Sequence, residues 1–138
     1  MIYVVDDAAD YLFLVQQVFK LFLPQYPVRF FADGLDLMQH IDQTKNPPLP
    51  SLIVLDVDMP KLSGPQTLER LKQRPGWKVV PVVMVSNRTD EQFVLACYKA
   101  GACSYLVKPL DITELRRTME LLSQYWVDLN RLPADRLL

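Results

Sequence analysis

Ile2–Val5 and residues 52–55, 79–85 and 105–107 are short runs dominated by Val, Ile and Leu. They lack the polar–apolar alternation of a strand with one face in water, which marks strands covered on both faces, as in a parallel sheet. A fifth run, Val28–Phe31, follows Pro27 and is predicted to lie towards an edge. The intervening stretches have helical period. Residues 10–23 are apolar over most of their circumference, and Asp33 is placed to cap residues 34–44. Ser63-Gly64-Pro65 opens a helix with proline near its first position, where the missing N–H costs little. Thr89 or Asp90 starts residues 91–100, which Gly101 ends, and Asp111 starts a last helix reaching about Leu129. Strand and helix alternate five times, so the chain reads as an α/β fold with right-handed crossovers.

The chain has 138 residues with 50% hydrophobic and 22% charged, the size and composition of one globular domain. Its 15 basic and 16 acidic side chains leave a net charge of −1, which argues against a basic nucleic-acid footprint or a polybasic membrane patch. No apolar run approaches the ~18 residues needed to span a bilayer. The first residues turn doubly acidic without a basic leader, so a cytoplasmic location is expected. Cys97 and Cys103 are too few for a disulfide framework and are expected to be small buried hydrophobes.

Function is written where the strands end. The first run ends in Asp6-Asp7, the third in Asp56-Val57-Asp58, the fourth in Ser86-Asn87 and the fifth in Lys108-Pro109. Ligands of open α/β sheets bind beyond the carboxyl ends of the strands, where the strand order reverses. With five parallel strands in the order 2-1-3-4-5, that point lies between the first and third strands. Asp6, Asp7 and Asp56 then share one crevice, with Ser86 and Lys108 on its rim. Two carboxylates ~5 Å apart repel by roughly 3 kcal/mol at an effective dielectric near 20. A trio must therefore take up a cation or a proton. Oxygen ligands without His or Cys favour Mg2+, with Mn2+ as a substitute. A metal, a lysine and a hydroxyl around one carboxylate form a phosphoryl-transfer site, with Asp56 as the nucleophile. A lone Asp after a strand is more often a cap, as Asp10, Asp33 and Asp111 are read here. It is the four typed positions at successive strand ends that outweigh that reading.

These residues resemble the receiver domain of two-component response regulators, of the single-domain, chemotaxis-regulator type. The pieces that carry the resemblance are Val4-Val5-Asp6-Asp7, Leu55-Asp56-Val57-Asp58-Met59-Pro60, Gly64, Val85-Ser86, Gly101-Ala102 and Tyr105-Leu106-Val107-Lys108-Pro109. The resemblance implies a flavodoxin-like three-layer sandwich of five strands and five helices. Residues 1–125 would form the receiver domain, and 126–138 a helix extension and tail. It implies that Asp56 accepts a phosphoryl group from a sensor histidine kinase or a histidine phosphotransfer protein. It further implies Mg2+ held by Asp7, Asp56 and the backbone carbonyl of Asp58, with Asp6 assisting through water. Ser86 corresponds to the switch hydroxyl and Tyr105 to the switch aromatic, which remodel the surface of the fourth helix, fifth strand and fifth helix. That surface is where a downstream protein, or a second copy in a homodimer, would bind. No DNA-binding segment is expected.

Asn87 stands where the family usually has a small residue, and Asp58 and Arg88 are both charged at variable flanking positions. They are expected to pair across the mouth of the site and slow water attack on a phosphoaspartate. The sole histidine, His40, is expected to pack or face solvent, and Trp77 to cover a loop. On the first helix, Tyr11, Leu14, Val18 and Phe22 suit the sheet, which leaves Leu12, Val15 and Phe19 as a partly exposed docking stripe. Ile112, Leu115, Met119, Leu122, Trp126 and Leu129 fall at heptad-like spacing, and the Trp126–Leu129 end is expected to overhang the domain, with residues 132–138 as a tail.

Three rival readings remain. A receiver-like adaptor would bind its partner without phosphorylation, a reading the unusual Asn87 keeps open. A phosphatase of the haloacid-dehalogenase type would use Asp56-Val57-Asp58 as its paired aspartates, but those enzymes carry that pair on the first strand. A flavin or nucleotide binder would need a glycine-rich anion loop, and acids stand in its place.

Overall fold

The structure is a computed structural model, and residues 1–45 and 47–133 are described. Five parallel strands, β1 (Ile2–Val5), β2 (Val28–Phe31), β3 (Leu52–Asp56), β4 (Val82–Ser86) and β5 (Ser104–Val107), form one sheet in the order β2-β1-β3-β4-β5. Helices α1 (Ala9–Phe22), α2 (Gly34–Gln43), α3 (Gly64–Lys72) and α4 (Glu91–Lys99) supply the crossovers, and α5 (Ile112–Ser123) follows the last strand. The flavodoxin-like sandwich and its strand order are as the sequence predicts, with β2 at an edge.

Each face of the sheet has its own apolar core. One gathers Tyr3, Val5, Ile53, Leu55, Val82 and Met84 with residues of α2 and α3. The other gathers Ile2, Val4, Leu52, Val54, Val83 and Val85 with α1 and α5. Consecutive strand residues point to opposite faces, so a strand that serves both cores is apolar throughout. Trp77 is in the first core, not over a loop, because residues 77–79 form a short 3-10 turn that folds the indole inward. That turn delays β4 to Val82. His40 packs its ring against those of Tyr3 and Phe31.

The caps follow their local chemistry. Asp33 accepts from the Asp36 N–H and Asp111 from the Glu114 N–H, at 2.7 and 2.8 Å. Ser63 and Gln66 make a reciprocal capping box at α3. Asp90 precedes α4 without a side-chain cap, since its carboxylate is held by Arg88.

Three further expectations are overturned. On α1 the residues against the sheet and α5 are Val15, Val18 and Phe19, with Tyr11 and Leu12 half-buried, whereas Leu14 and Phe22 face outward. The helix is apolar almost all round, so α5 packing, rather than spacing, selects which stripe is covered. The Arg116 guanidinium lies 3.9 Å from the Phe22 ring centroid on that outer side. Cys97 is buried as expected, but Cys103 is exposed and its thiol donates to the Val82 carbonyl. The last helix is α-helical only to Ser123 and continues as a π-helical segment, Gln124–Leu129. Trp126 packs on the second core and Asp128 accepts from the Tyr26 hydroxyl, so this end is tied back to the domain, although Leu129 remains exposed. Of the expected tail, residues 134–138 lie outside the described residues.

Gly64 connects the fold to the strand ends. A Cβ there would stand 2.7 Å from the Val57 Cα and 2.8 Å from the Asp56 carbonyl oxygen, both backbone atoms. Gly64→Ala should therefore lower the free energy of unfolding by about 1–3 kcal/mol, read from the urea midpoint. An unchanged midpoint would show that the backbone after Asp56 yields freely.

Candidate functional site

Parallel register sets the crevice. Val5 pairs with Leu55, and Asp56 with Val85, so the residues following β1 and ending β3 lie side by side. Carboxylate oxygens of Asp6, Asp7 and Asp56 lie within 4.8 Å of one another. Asp6 and Asp56 are buried and Asp7 is exposed, which makes Asp7 the wall towards solvent. The cradle fits a divalent cation, because hard oxygen ligands converge with more negative charge than their surroundings neutralise.

Asp6 is fully engaged. One of its oxygens accepts from the Ala8 N–H at 2.8 Å, and the other pairs with Lys108 Nζ at 2.9 Å. Lys108 is carried there because its own N–H donates to the Ser86 carbonyl, continuing the β4–β5 ladder past the strand ends. Its side chain is only 12% exposed, so the pair is shielded and holds its geometry. One ammonium cannot balance three carboxylates. Burial first, then Asp6, raise the Asp56 carboxyl pKa to about 7; Lys108 opposes this, and Asp7 raises it further by its charge and a hydrogen bond. In the metal-free protein the Asp56 carboxyl therefore exchanges a proton near neutral pH, well above the ordinary carboxylate range.

Beyond β4, the buried Ser86 hydroxyl donates to Asp58 at 3.4 Å and accepts from the Arg88 N–H at 3.0 Å. Asp58 and Asn87 are exposed. The expected Arg88–Asp58 pair is not formed. Arg88 instead meets Asp90 through two N–H groups, with Nε–Oδ1 at 3.2 Å, and its guanidinium lies 3.7 Å from the Phe93 ring centroid. Both partners are within five residues of Arg88, so these contacts close only a short loop and cost less chain entropy than one across the mouth. Tyr105 is half-buried, donates its hydroxyl proton to the Arg88 carbonyl at 2.8 Å and meets Phe93 edge to face.

Tyr11 is a site residue that sequence reasoning assigned to the sheet face. Its ring centroid is 4.2 Å from Lys108 Nζ. Its place in the first turn of the helix that follows Asp6-Asp7 is the signal that could have found it.

The response regulator receiver domain family matches residues 2–120. This chain is a response regulator receiver domain. Receiver domains are signalling domains rather than enzymes in their own right. The chain is similar to response regulator Rcp1 of Synechocystis sp. (strain ATCC 27184 / PCC 6803 / Kazusa), 31% identical over 97% of this chain and 93% of that one. It is also similar to the probable methanogenesis regulatory protein FilR2 of Methanothrix harundinacea, 27% identical over 97% and 88% of the two chains. Among solved receiver domains, the Mn2+-bound form of Rcp1 superposes with a TM-score of 0.81 at 32% identity, covering 96% of this chain and 98% of that one. The phosphorylated cyanobacterial phytochrome response regulator RcpA gives 0.85 at 26% identity, covering 96% and 97%. A divalent-metal site agrees with both the acidic cradle and the metal-bound relative.

The raised Asp56 pKa sets a direction for stability. Because the folded value of about 7 exceeds the ordinary 3.8, the folded receiver domain keeps a proton that the unfolded chain releases. Stability of the metal-free protein should fall as pH rises from about 4 to about 7, by at most ~1.4 kcal/mol per unit, and stay level above that. Asp56→Asn should remove that contribution. Thermal midpoints in chelator at pH 5 and pH 8 check this, and an equal drop in both proteins would contradict it.

Proposed function

We propose that this receiver domain accepts a phosphoryl group on Asp56 from a sensor histidine kinase or a histidine phosphotransfer protein and signals by protein contact. The observation that supports this most directly is the buried Asp56 carboxylate flanked by Asp6 and Asp7, with Lys108 held at 2.9 Å from Asp6. An Asp56 oxygen attacks the phosphorus of the donor phosphohistidine. The P–N bond breaks, its electron pair stays on the imidazole, which takes up a proton from solvent, and an acyl phosphate forms. Mg2+, or Mn2+ in its place, would be held by Asp7, Asp56 and the Asp58 carbonyl, with Asp6 acting through water, and would neutralise the charge that the transferring group brings. Lys108 would exchange its partner Asp6 for a phosphoryl oxygen. Ser86 would turn its hydroxyl from Asp58 to the phosphate. Reversal of the charge change follows when water attacks the same phosphorus and restores the Asp56 carboxylate.

The output side of this reading rests on Tyr105. Its hydroxyl already reaches the Arg88 carbonyl, in the loop that Ser86 would move. Leu95, Tyr98, Val107, Leu110 and Ile112 are exposed on α4, β5, the loop after β5 and the start of α5, with Leu110 81% exposed. An apolar surface beside the switch is suited to a downstream protein or to a homodimer. On the input side Phe13 and Leu14 are exposed near the start of α1 and would meet the phosphodonor, in place of the buried Val15 and Phe19. No helix among the described residues is long and apolar enough to cross a membrane.

Intact mass after incubation with acetyl phosphate tests the reading. Wild type should gain one phosphoryl mass in the presence of Mg2+ and none in chelator, and Asp56→Asn should gain none. A cognate kinase that leaves wild type unmodified while still binding it would favour the phosphorylation-independent adaptor instead.

A further inference from the structure

Tyr11 lies in the first turn of α1, where a helix that shields a sheet has no need of a hydroxyl. Its ring packs against the second core, and three observations go beyond that packing. Its ring presents a face to Lys108 Nζ at 4.2 Å. Lys108 has its other contact on the opposite charge, Asp6, at 2.9 Å. The Tyr11 hydroxyl oxygen is buried with no hydrogen-bond partner among the described residues, beside the charges of Asp6 and Asp56. A buried donor without an acceptor weakens folding, and phenylalanine would fill the same space without that cost. The ring is an attractive wall for an ammonium, since its π face is electron-rich and Lys108 is largely shielded from water.

We propose that Tyr11 is a positioning residue of the phosphoryl-transfer site, its ring holding the Lys108 ammonium over the crevice and its hydroxyl supplying a donor for an oxygen that arrives with the phosphoryl group. The inference rests on the phosphoacceptor reading of Asp56. The ring fixes where Lys108 stands before the reaction, between Asp6 and the place the equatorial oxygens will occupy. The ammonium then has only to change partners, not to leave water, and little reorganisation is needed as charge develops. The hydroxyl, unsatisfied at rest, becomes satisfied only when an acceptor enters the crevice. An interaction of that kind favours the reacting complex over the resting one. No other described side chain puts an aromatic face on Lys108.

Two substitutions divide the roles. Tyr11→Phe keeps the ring and removes the hydroxyl; Tyr11→Leu keeps an apolar filling and removes the π face as well. The first readout needs no phosphorylation: trace acetylation of the full-length protein with acetic anhydride, with each lysine quantified by peptide mass spectrometry. Lys108 in Tyr11→Leu should label about fivefold faster relative to Lys20 and Lys61. In Tyr11→Phe it should label as in wild type, and Lys72, held by two carbonyls on the far side, should be unchanged in both and so report an intact fold. The second readout is the rate of phosphoryl uptake from acetyl phosphate with Mg2+, which should fall about tenfold in Tyr11→Phe. Wild-type labelling of Lys108 in Tyr11→Leu overturns the ring's role, and a wild-type rate in Tyr11→Phe overturns the hydroxyl's. A wild-type chain that takes up no phosphoryl group overturns the phosphoacceptor reading, and the labelling still decides whether the ring holds Lys108.

Discussion

Three carboxylates and one ammonium meet at the end of a parallel sheet, and the shortage of positive charge there governs the site. Lys108 spends its charge on Asp6, which also takes the Ala8 N–H. Asp56, buried to 6% exposure and facing Asp6 and Asp7, is left to hold a proton or a cation. A site in this condition is primed for exchange. Bringing in a divalent cation would relieve repulsion that the fold already bears, and under the proposed phosphoacceptor role a phosphoryl group would replace one anion by another whose charge Lys108 could reach. The strain resides in the electrostatics, not in the backbone, and the surrounding sheet tolerates it because both cores are apolar and well filled.

What allows that tolerance is the parallel architecture. The central strands β1, β3 and β4 are apolar on both faces until their last positions, so their polar residues collect at the carboxyl ends. The β1–β3 register brings Asp6 beside Asp56, the β4–β5 ladder brings Lys108 beside Ser86, and Gly64 lets α3 approach the backbone after Asp56. Past β4, the network of Arg88, Asp90, Phe93 and Tyr105 ties the loop that follows Ser86 to β5. A displacement of Ser86 would therefore be felt at Tyr105 through two backbone positions and one hydrogen bond.

The elements were legible because their signals are local. Ser63 and Gln66 announce a capping box, Asp33 and Asp111 announce helix starts, and the non-alternating strands announce burial on both faces. Asp6, Asp7, Asp56 and Lys108 were legible for another reason: chemically distinctive residues at successive strand ends have one meeting place once the strand order is known. Arg88 was misplaced because Asp58 and Asp90 are both acids within its reach, and sequence does not rank two such partners. The α1 stripe was misassigned because a helix apolar on every side offers several stripes of equal spacing. Trp126 was expected to overhang, but it keeps to the stripe of Leu115, Met119 and Leu122 and packs with them on the second core; how far the domain reaches along a helix is not encoded in its spacing.

The amino-acid sequence by itself determined the alternation of strands and helices, the strand order it implies and the chemical types at the strand ends. Each of these depends on residue type and on neighbours a few positions away. The tertiary structure decided the pairings: Lys108 with Asp6, Arg88 with Asp90 and Phe93, Tyr105 with the Arg88 carbonyl, and Tyr11 at the Lys108 ammonium. Those choices turn on differences of an ångström or two, between groups far apart in the chain for Lys108 and between rival near neighbours for Arg88. Only the packed sheet and helices set such distances, because the energy of a charged or hydrogen-bonded contact falls steeply beyond about 3–4 Å.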